Sequence, residues 1–426
     1  MRAWINPTDF SPLARQLEPM MKHHGRSGAG HPGMGTLDFD QAPFLVIWET
    51  TQACDLACKH CRAEAQPDRH PRELTTDEAR AMLRDIRRFG QVIFVFSGGD
   101  ALKRPDIVEL VSYGHGLGLR MAITPATTPL ATRTQLRELK DAGLVRLAVS
   151  LDGSHAGIHD EFRQVAGSFE HGLRILKTSQ EIGLSTQVNT VVARHNLHDF
   201  DNLCRLMTEV GIVFWEVFFL IPMGRAKPED VASAEAFEEV FHRLYDLSKT
   251  APFDIKATAA PQYSRVVLQR KVSERRSGAR AESSDVLTDG AAISMSDGIG
   301  RARNVNDGDG FMFISHTGEI FPSGFLPVSA GNVRRDDLVE VYRNSHLFRT
   351  LRDRTLLKGK CGVCEYLKVC GGSRARAYAV TGDYLEAEPF CAHVPAKYAR
   401  MIERGEVDPS APHRNVRLPV FDRLPV

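Results

Sequence analysis

Six short apolar runs recur between Phe44 and Pro222: FLVIWET (44–50), VIFVFSGG (92–99), LRMAITP (119–125), VRLAVSLDG (145–153), STQVNTVV (185–192) and VFWEVFFLIP (213–222). They are nearly continuous in apolar residues rather than alternating. That pattern belongs to strands covered on both faces, as in a parallel sheet wrapped by helices. Segments of helical spacing lie between the runs. TTDEARAMLRDIRRFG (75–90) opens on an N-cap Thr and closes on Gly, and RTQLRELKDAG (133–143) and FEHGLRILKTSQEIG (169–183) also close on Gly. The rhythm predicts an α/β fold, a partial (β/α)6 barrel of TIM type over residues 43–250. In such barrels the functional residues gather at the C-terminal ends of the strands.

Outside that rhythm the chain changes character. Residues 1–42 read as a flexible N-terminal segment that includes HHGRSGAGHPGMG (23–35). Residues 251–310 read as a linker or insertion, partly disordered, because RKVSERRSGARAESSDVLTDG (270–290) is charged and poor in large apolar groups. Residues 311–400 form a small α+β cysteine-rich domain. It starts with FMFISHTGEIFPSGF (311–325), a hairpin about Thr317-Gly318, and continues with a helical DDLVEVYRNSHLFRTLRD (336–353). Residues 401–426 are a C-terminal tail.

The 426 residues are 42% hydrophobic and 25% charged, with a formal net charge of +1. This balance calls for neither a nucleic-acid nor a membrane partner. No apolar run approaches a membrane span, and MRAWINPTDF lacks a signal pattern, which points to the cytoplasm and reduced thiols. Eight cysteines in that setting suggest metal or redox chemistry. Cys204, in an amphipathic helix, reads as a buried small apolar residue.

CDLACKHC (54–61) places Cys54, Cys58 and Cys61 in the spacing C-x3-C-x2-C just after the first strand. A structural zinc site wants four ligands, and only His60 offers itself as a fourth. A [4Fe–4S] cluster held by three thiolates instead keeps one iron open to a small molecule. At a strand end of a β/α array, this motif resembles the radical S-adenosylmethionine (SAM) superfamily. The resemblance implies a SAM-binding [4Fe–4S] cluster and reductive cleavage of SAM to a 5′-deoxyadenosyl radical. The usual reductant in that family is a ferredoxin or flavodoxin.

The resemblance implies further contacts. Ser97-Gly98-Gly99-Asp100 ends the second strand where the family carries Gly-Gly-Glu for the SAM amino group. Asp100 is one methylene shorter, leaving a contact that is direct, relayed or made by backbone alone. Ser150 and Asp152, in SLDG, stand at polar SAM contacts. Arg163 resembles the arginine that pairs with the SAM carboxylate; its rival reading is a surface arginine. Asn189 matches a ribose contact or, equally, a core amide. Ile221 and Pro222 fall where backbone edges meet adenine. His60 orients the cluster loop or lies near adenine, with metal ligation second.

CGVCEYLKVC gives Cys361, Cys364 and Cys370, and Cys391 follows. Four thiolates would hold either zinc or one further cluster. Beside the first motif, the tail resembles the SPASM or twitch domains of radical SAM maturases, with one auxiliary [4Fe–4S] cluster. Ser323 and Arg374 stand where the longer, seven-cysteine pattern has Cys. The RARAY segment is closest to the tetrapyrrole branch, which acts on propionate side chains; a ribosomally made peptide is the alternative substrate. A closed iron–sulfur electron carrier or a zinc-stabilised binding module is the non-enzyme reading. Arg374 and Arg376 are candidates for pairing with substrate carboxylates. The auxiliary cluster would accept the electron left after hydrogen abstraction or serve structure alone.

Overall fold

The protein is seen as a computed structural model that describes residues 38–277 and 305–408. The proposed flexible segment 23–35, most of 270–290 and the end of the C-terminal tail lie outside the described residues. Seven parallel strands run in sequence order: β1 (Leu45–Glu49), β2 (Ile93–Ser97), β3 (Arg120–Ile123), β4 (Leu144–Ser150), β5 (Ser185–Val192), β6 (Phe214–Phe219) and β7 (Asp254–Thr258). The expected hairpin is present as β8 (Phe311–Ile314) and β9 (Glu319–Phe321), and β10 (Gly331–Asn332) follows. One ten-stranded sheet results, in the order β10-β9-β8-β1-β2-β3-β4-β5-β6-β7, a partial TIM-type barrel with no ladder between its two edges.

The continuous apolar runs conceal a period of two. In β1, Val46 and Trp48 are fully buried in the core, while Leu45 and Ile47 line an interior cavity. In β2, Phe94 and Phe96 pack beside Trp48, and Ile93, Val95 and Ser97 face the cavity. Helices cover the outside: α1 (Thr76–Arg87), α2 (Ile107–Gly116), α3 (Arg133–Asp141), α4 (Ala156–Arg163), α5 (Ser168–Glu181), α6 (Phe200–Glu209), α7 (Ala234–Leu247) and α8 (Gln262–Arg276). Thr75 caps α1 and forms a capping box with Glu78, an arrangement that contributes roughly 1 kcal/mol.

Two boundaries differ from the sequence-based expectation. β7 and α8 fall inside 251–310, so its first part is ordered; Arg270–Arg276 are the last turns of a helix rather than a solvated linker. The cysteine-rich tail is also continuous with the barrel, because β8 pairs parallel with β1 through Leu45↔Phe311 to Trp48↔Ile314. The tail then adds α9 (Leu338–Asn344), α10 (His346–Arg352), α11 (Gly359–Gly362), α12 (Arg374–Thr381) and α13 (Ala396–Glu403). No described helix is long and apolar enough to cross a membrane.

Candidate active site

The loop after β1 is held by the ends of its neighbours. Gly99 N–H donates to Thr51 O at 2.8 Å and Asp100 N–H to Ala53 O at 2.7 Å. A Cβ on Gly98 would stand 2.5 Å from Thr51 O, and one on Gly99 2.3 Å from Ala53 O. The glycine pair is therefore required by this backbone-to-backbone approach, and both residues also line the cavity. On the other side, Lys59 N–H donates to Phe162 O at 2.9 Å and Arg225 N–H to Cys61 O at 3.1 Å.

Cys54, Cys58 and Cys61 all face a cavity of about 690 Å³ inside the barrel. Each sulfur accepts one hydrogen bond: from Leu56 N–H at 3.4 Å, Arg163 Nη1 at 3.7 Å and Ala65 N–H at 3.4 Å respectively. Burial pushes the Cys54 thiol up to about 12 and also raises Cys58, against the pull of Arg163. Metal loading of this site must therefore displace protons. Arg163 is the last residue of α4, where a cation complements the helix dipole. Its Nε and Nη2 donate to Asp152 Oδ2 at 2.7 and 2.5 Å.

Of the residues expected to contact SAM, His60, Gly98, Gly99, Ser150, Arg163 and Asn189 line the cavity, as does Ile221. Asp100, Asp152 and Pro222 do not. The Asp100 carboxylate is fully buried and accepts from Leu102 N–H at 3.1 Å and Thr128 Oγ1 at 2.7 Å. Asp152 is likewise fully buried and spends its charge on Arg163 and on Val191 N–H at 2.7 Å. Burial opposes its ionisation, but the Arg163 guanidinium holds it down to about 2. Pro222 yields its place at the wall to Ile221.

His60 stacks on Phe162 with ring centroids 4.1 Å apart, and Phe162 stacks on His195 at 3.7 Å. Burial depresses the His60 ring to about 3, so a neutral ring pins the cluster loop to α4. Sequence reasoning passed over the loop after β3, whose Thr124, Pro125 and Ala126 line the cavity beside Gly98. It also missed Glu49, which receives Arg62 Nη2 at 2.5 Å and pairs with His316 Nδ1 at 2.6 Å, so that the residue after Cys61 is tied to both β1 and the tail.

Cys361, Cys364, Cys370 and Cys391 line a second, smaller pocket with Arg265 beside them, and Cys370 reaches the large cavity as well. Backbone N–H groups donate to three of the sulfurs: Glu388 to Cys361 at 3.3 Å, Tyr366 to Cys364 at 3.4 Å and Gly372 to Cys370 at 3.4 Å. Among the described residues, the trio of metal-capable donor atoms within 4.8 Å of one another is that of Cys364, Glu365 and His393; no three sulfurs of either cysteine group come that close.

Arg374 and Arg376 do not line the cavity. Both are buried, Arg374 donating to Tyr384 O at 2.9 Å and Glu386 O at 2.8 Å. Arg376 donates to Phe219 O at 2.9 Å and Leu220 O at 3.3 Å and pairs with Glu388 at 3.2 Å. Ser323 lines the cavity and bonds Asp307, which lines it as well.

Comparison with known proteins gives the same reading. Residues 48–207 match the radical SAM superfamily model. An AdoMet-dependent heme synthase of Nitratidesulfovibrio vulgaris is 41% identical over 355 residues, covering 83% of this chain and 93% of the relative. An Fe-coproporphyrin III synthase of Methanosarcina barkeri is 30% identical, covering 83% and 88%. The crystal structure of Streptococcus suis SuiB bound to S-adenosylmethionine has the same fold, with a TM-score of 0.63 at 16% identity over 92% of this chain and 84% of that one. The chain belongs to the radical SAM superfamily, and is an enzyme built to use a [4Fe–4S] cluster and S-adenosylmethionine.

Proposed function

We propose that the enzyme decarboxylates propionate side chains of a tetrapyrrole. The observation that carries this reading is the single cavity onto which all three thiols of the first group and Cys370 of the second open. Its walls are aromatic, with Phe44, Phe214, Phe218, Phe219, Phe311 and Phe313. Its charged lining comprises Arg62, Arg146, Arg163, Lys256 and Lys271 with Glu216, Asp254 and Asp307; Arg62 and Arg163 are paired behind it with Glu49 and Asp152. A flat apolar macrocycle rimmed with carboxylates suits such a space. The names of the two relatives point the same way, since haem carries vinyl groups where Fe-coproporphyrin III keeps propionates.

In this reading Cys54, Cys58 and Cys61 hold the first cluster, and Cys361, Cys364, Cys370 and Cys391 hold one auxiliary [4Fe–4S] cluster. Amide N–H bonds to sulfur, as seen at both groups, are what such clusters require of their surroundings. When bound, the first cluster and SAM supply the 5′-deoxyadenosyl radical, and the second offers a one-electron site beside the same cavity. The chain's own residues bind and orient. Gly98 and Gly99 fix the loop, Arg163 neutralises charge next to Cys58, Ser150 and Asn189 present polar groups from β4 and β5, and Ile221 closes the end of β6. A reduced ferredoxin or flavodoxin is the proposed donor and the cytoplasm the proposed compartment.

The test is anaerobic reconstitution with iron, sulfide, reductant and SAM, followed by Fe-coproporphyrin III. Carbon dioxide and a vinyl-bearing porphyrin should appear together with 5′-deoxyadenosine. If 5′-deoxyadenosine forms but the porphyrin neither binds nor reacts, the tetrapyrrole reading is wrong and a peptide substrate takes its place.

A further inference from the structure

One register row of polar residues crosses the cavity wall. Ser150 on β4 pairs with Asn189 on β5, Asn189 with Glu216 on β6, and Glu216 with Lys256 on β7. All four line the cavity. Glu216 Oε1 accepts from Lys256 Nζ at 2.9 Å and Thr258 Oγ1 at 2.6 Å, and its Oε2 accepts from Gln187 Nε2 at 2.9 Å. The same Gln187 amide donates to Asn189 Oδ1 at 2.7 Å, which leaves Asn189 to present its own NH₂. Burial works against the charge of Glu216, yet Lys256, Thr258 and Gln187 outweigh it and hold the carboxyl below its usual range.

Such a carboxylate is a fixed seat for an ammonium. Lys256 has three N–H donors, and Glu216 takes one. The side chain is still 25% exposed, on a residue that lines the cavity. Partly exposed to the cavity, the pair is a weak source of fold stability. The first cysteine group and the Arg163–Asp152 pair belong to other elements, so Lys256 is not consumed there. Arg146 and Lys271 add positive charge to the same cavity, and Asp254 is the other acid of this strand.

We propose that Lys256 is the anchor for a carboxylate of the substrate, with Glu216 as the residue that positions it. The proposal rests on the tetrapyrrole reading and names the wall that grips the macrocycle's rim. An ammonium–carboxylate contact in a sheltered site is a charge-assisted hydrogen bond, so its loss should cost about 10- to 100-fold in affinity.

The experiment is a Soret titration of the reconstituted enzyme with Fe-coproporphyrin III and with its methyl ester, in wild type, Lys256→Gln and Lys256→Arg. Wild type should prefer the acid to the ester. K256Q should weaken acid binding by that factor, leave ester binding nearly unchanged and so erase the preference, and K256R should restore part of it. Formation of 5′-deoxyadenosine without substrate reports whether each variant is folded. Equal loss for acid and ester, or undiminished acid binding by K256Q, overturns the proposal. A raised KM for SAM with porphyrin affinity intact would assign Lys256 to the cofactor and also overturn it. Failure of wild type to bind any porphyrin defeats the tetrapyrrole reading itself and removes the anchor with it.

Discussion

The two cysteine groups differ in what surrounds their sulfur atoms. The first sits on a loop at the end of β1, opens wholly onto the cavity, and has a guanidinium, that of Arg163, at one sulfur. The second sits in its own pocket and shows only Cys370 to the cavity; backbone N–H groups donate to three of its four sulfurs, as they do to two of the three in the first group. An incomplete thiolate set facing open space is suited to binding a ligand. A complete set of four thiolates set back in its own pocket is suited to holding charge without exchanging ligands. The first group rests on the strand ends of the barrel, and the buried Arg376–Glu388 pair fastens the second to the end of β6.

The comparison is broken most severely by removing one thiol from each group. Cys58→Ala should bring 5′-deoxyadenosine formation to background, because the cluster that binds SAM loses a ligand. Cys364→Ala should lower iron and sulfide by about half, as expected for one of two four-iron clusters, while SAM cleavage without substrate persists and product formation fails. Iron content and anaerobic product analysis check both. Zinc in place of iron at the second group would return that site to the Cys364–Glu365–His393 trio. Equal loss of both activities in Cys364→Ala would make the tail cluster a structural one.

Much of this contrast is legible in the chain itself. Cysteine spacing, the strand rhythm and the Gly-Gly turn are local patterns, and each is found where the sequence places it. β7 escaped because its residues facing the interior are polar: Lys256 and Thr258 contact Glu216, so the segment DIKAT lacks the apolar run that marks the other strands. The pairing of β8 with β1 escaped because it joins residues more than two hundred positions apart and leaves no local trace. The pairing of charged residues escaped for a related reason. Asp152 and Arg163 lie on different elements and pair with one another, while Arg163 also lines the cavity; Arg374 donates to carbonyls of the folded tail and Arg376 to those at the end of β6.

The support of the second group can be tested without touching a thiol. Arg376 and Glu388 are fully buried, and Glu388 N–H reaches Cys361 Sγ while Arg376 reaches the end of β6. Arg376→Met leaves Glu388 buried without its cation, and about 3–5 kcal/mol of stability should be lost. Adding Glu388→Gln in the same chain should return part of it. The tail should lose iron in proportion, while the three-cysteine site still cleaves SAM. Urea unfolding and iron analysis measure the two effects; a parallel fall in SAM cleavage would show that the groups do not have separate supports.

The smallest effect concerns acid. His159 lies under the first group, and its Nδ1 accepts from Asp152 N–H at 3.0 Å, which demands an unprotonated ring. Burial first, and then the charge of Arg163, lower its pKa from 6.5 to about 4. Below pH 6.5 the unfolded chain takes up a proton that the folded one refuses until about pH 4. Stability is therefore lost as pH falls across that window, by about 2 kcal/mol at pH 5. His159→Asn keeps an acceptor oxygen for the Asp152 amide and cannot titrate. Relative to wild type, the variant should gain about 2 kcal/mol between pH 7 and pH 5, read from urea midpoints at the two values. The second group, which His159 does not touch, should keep its iron over the same range. If the gap between wild type and variant stays constant with pH, His159 is not the acid-sensitive element beneath the first site.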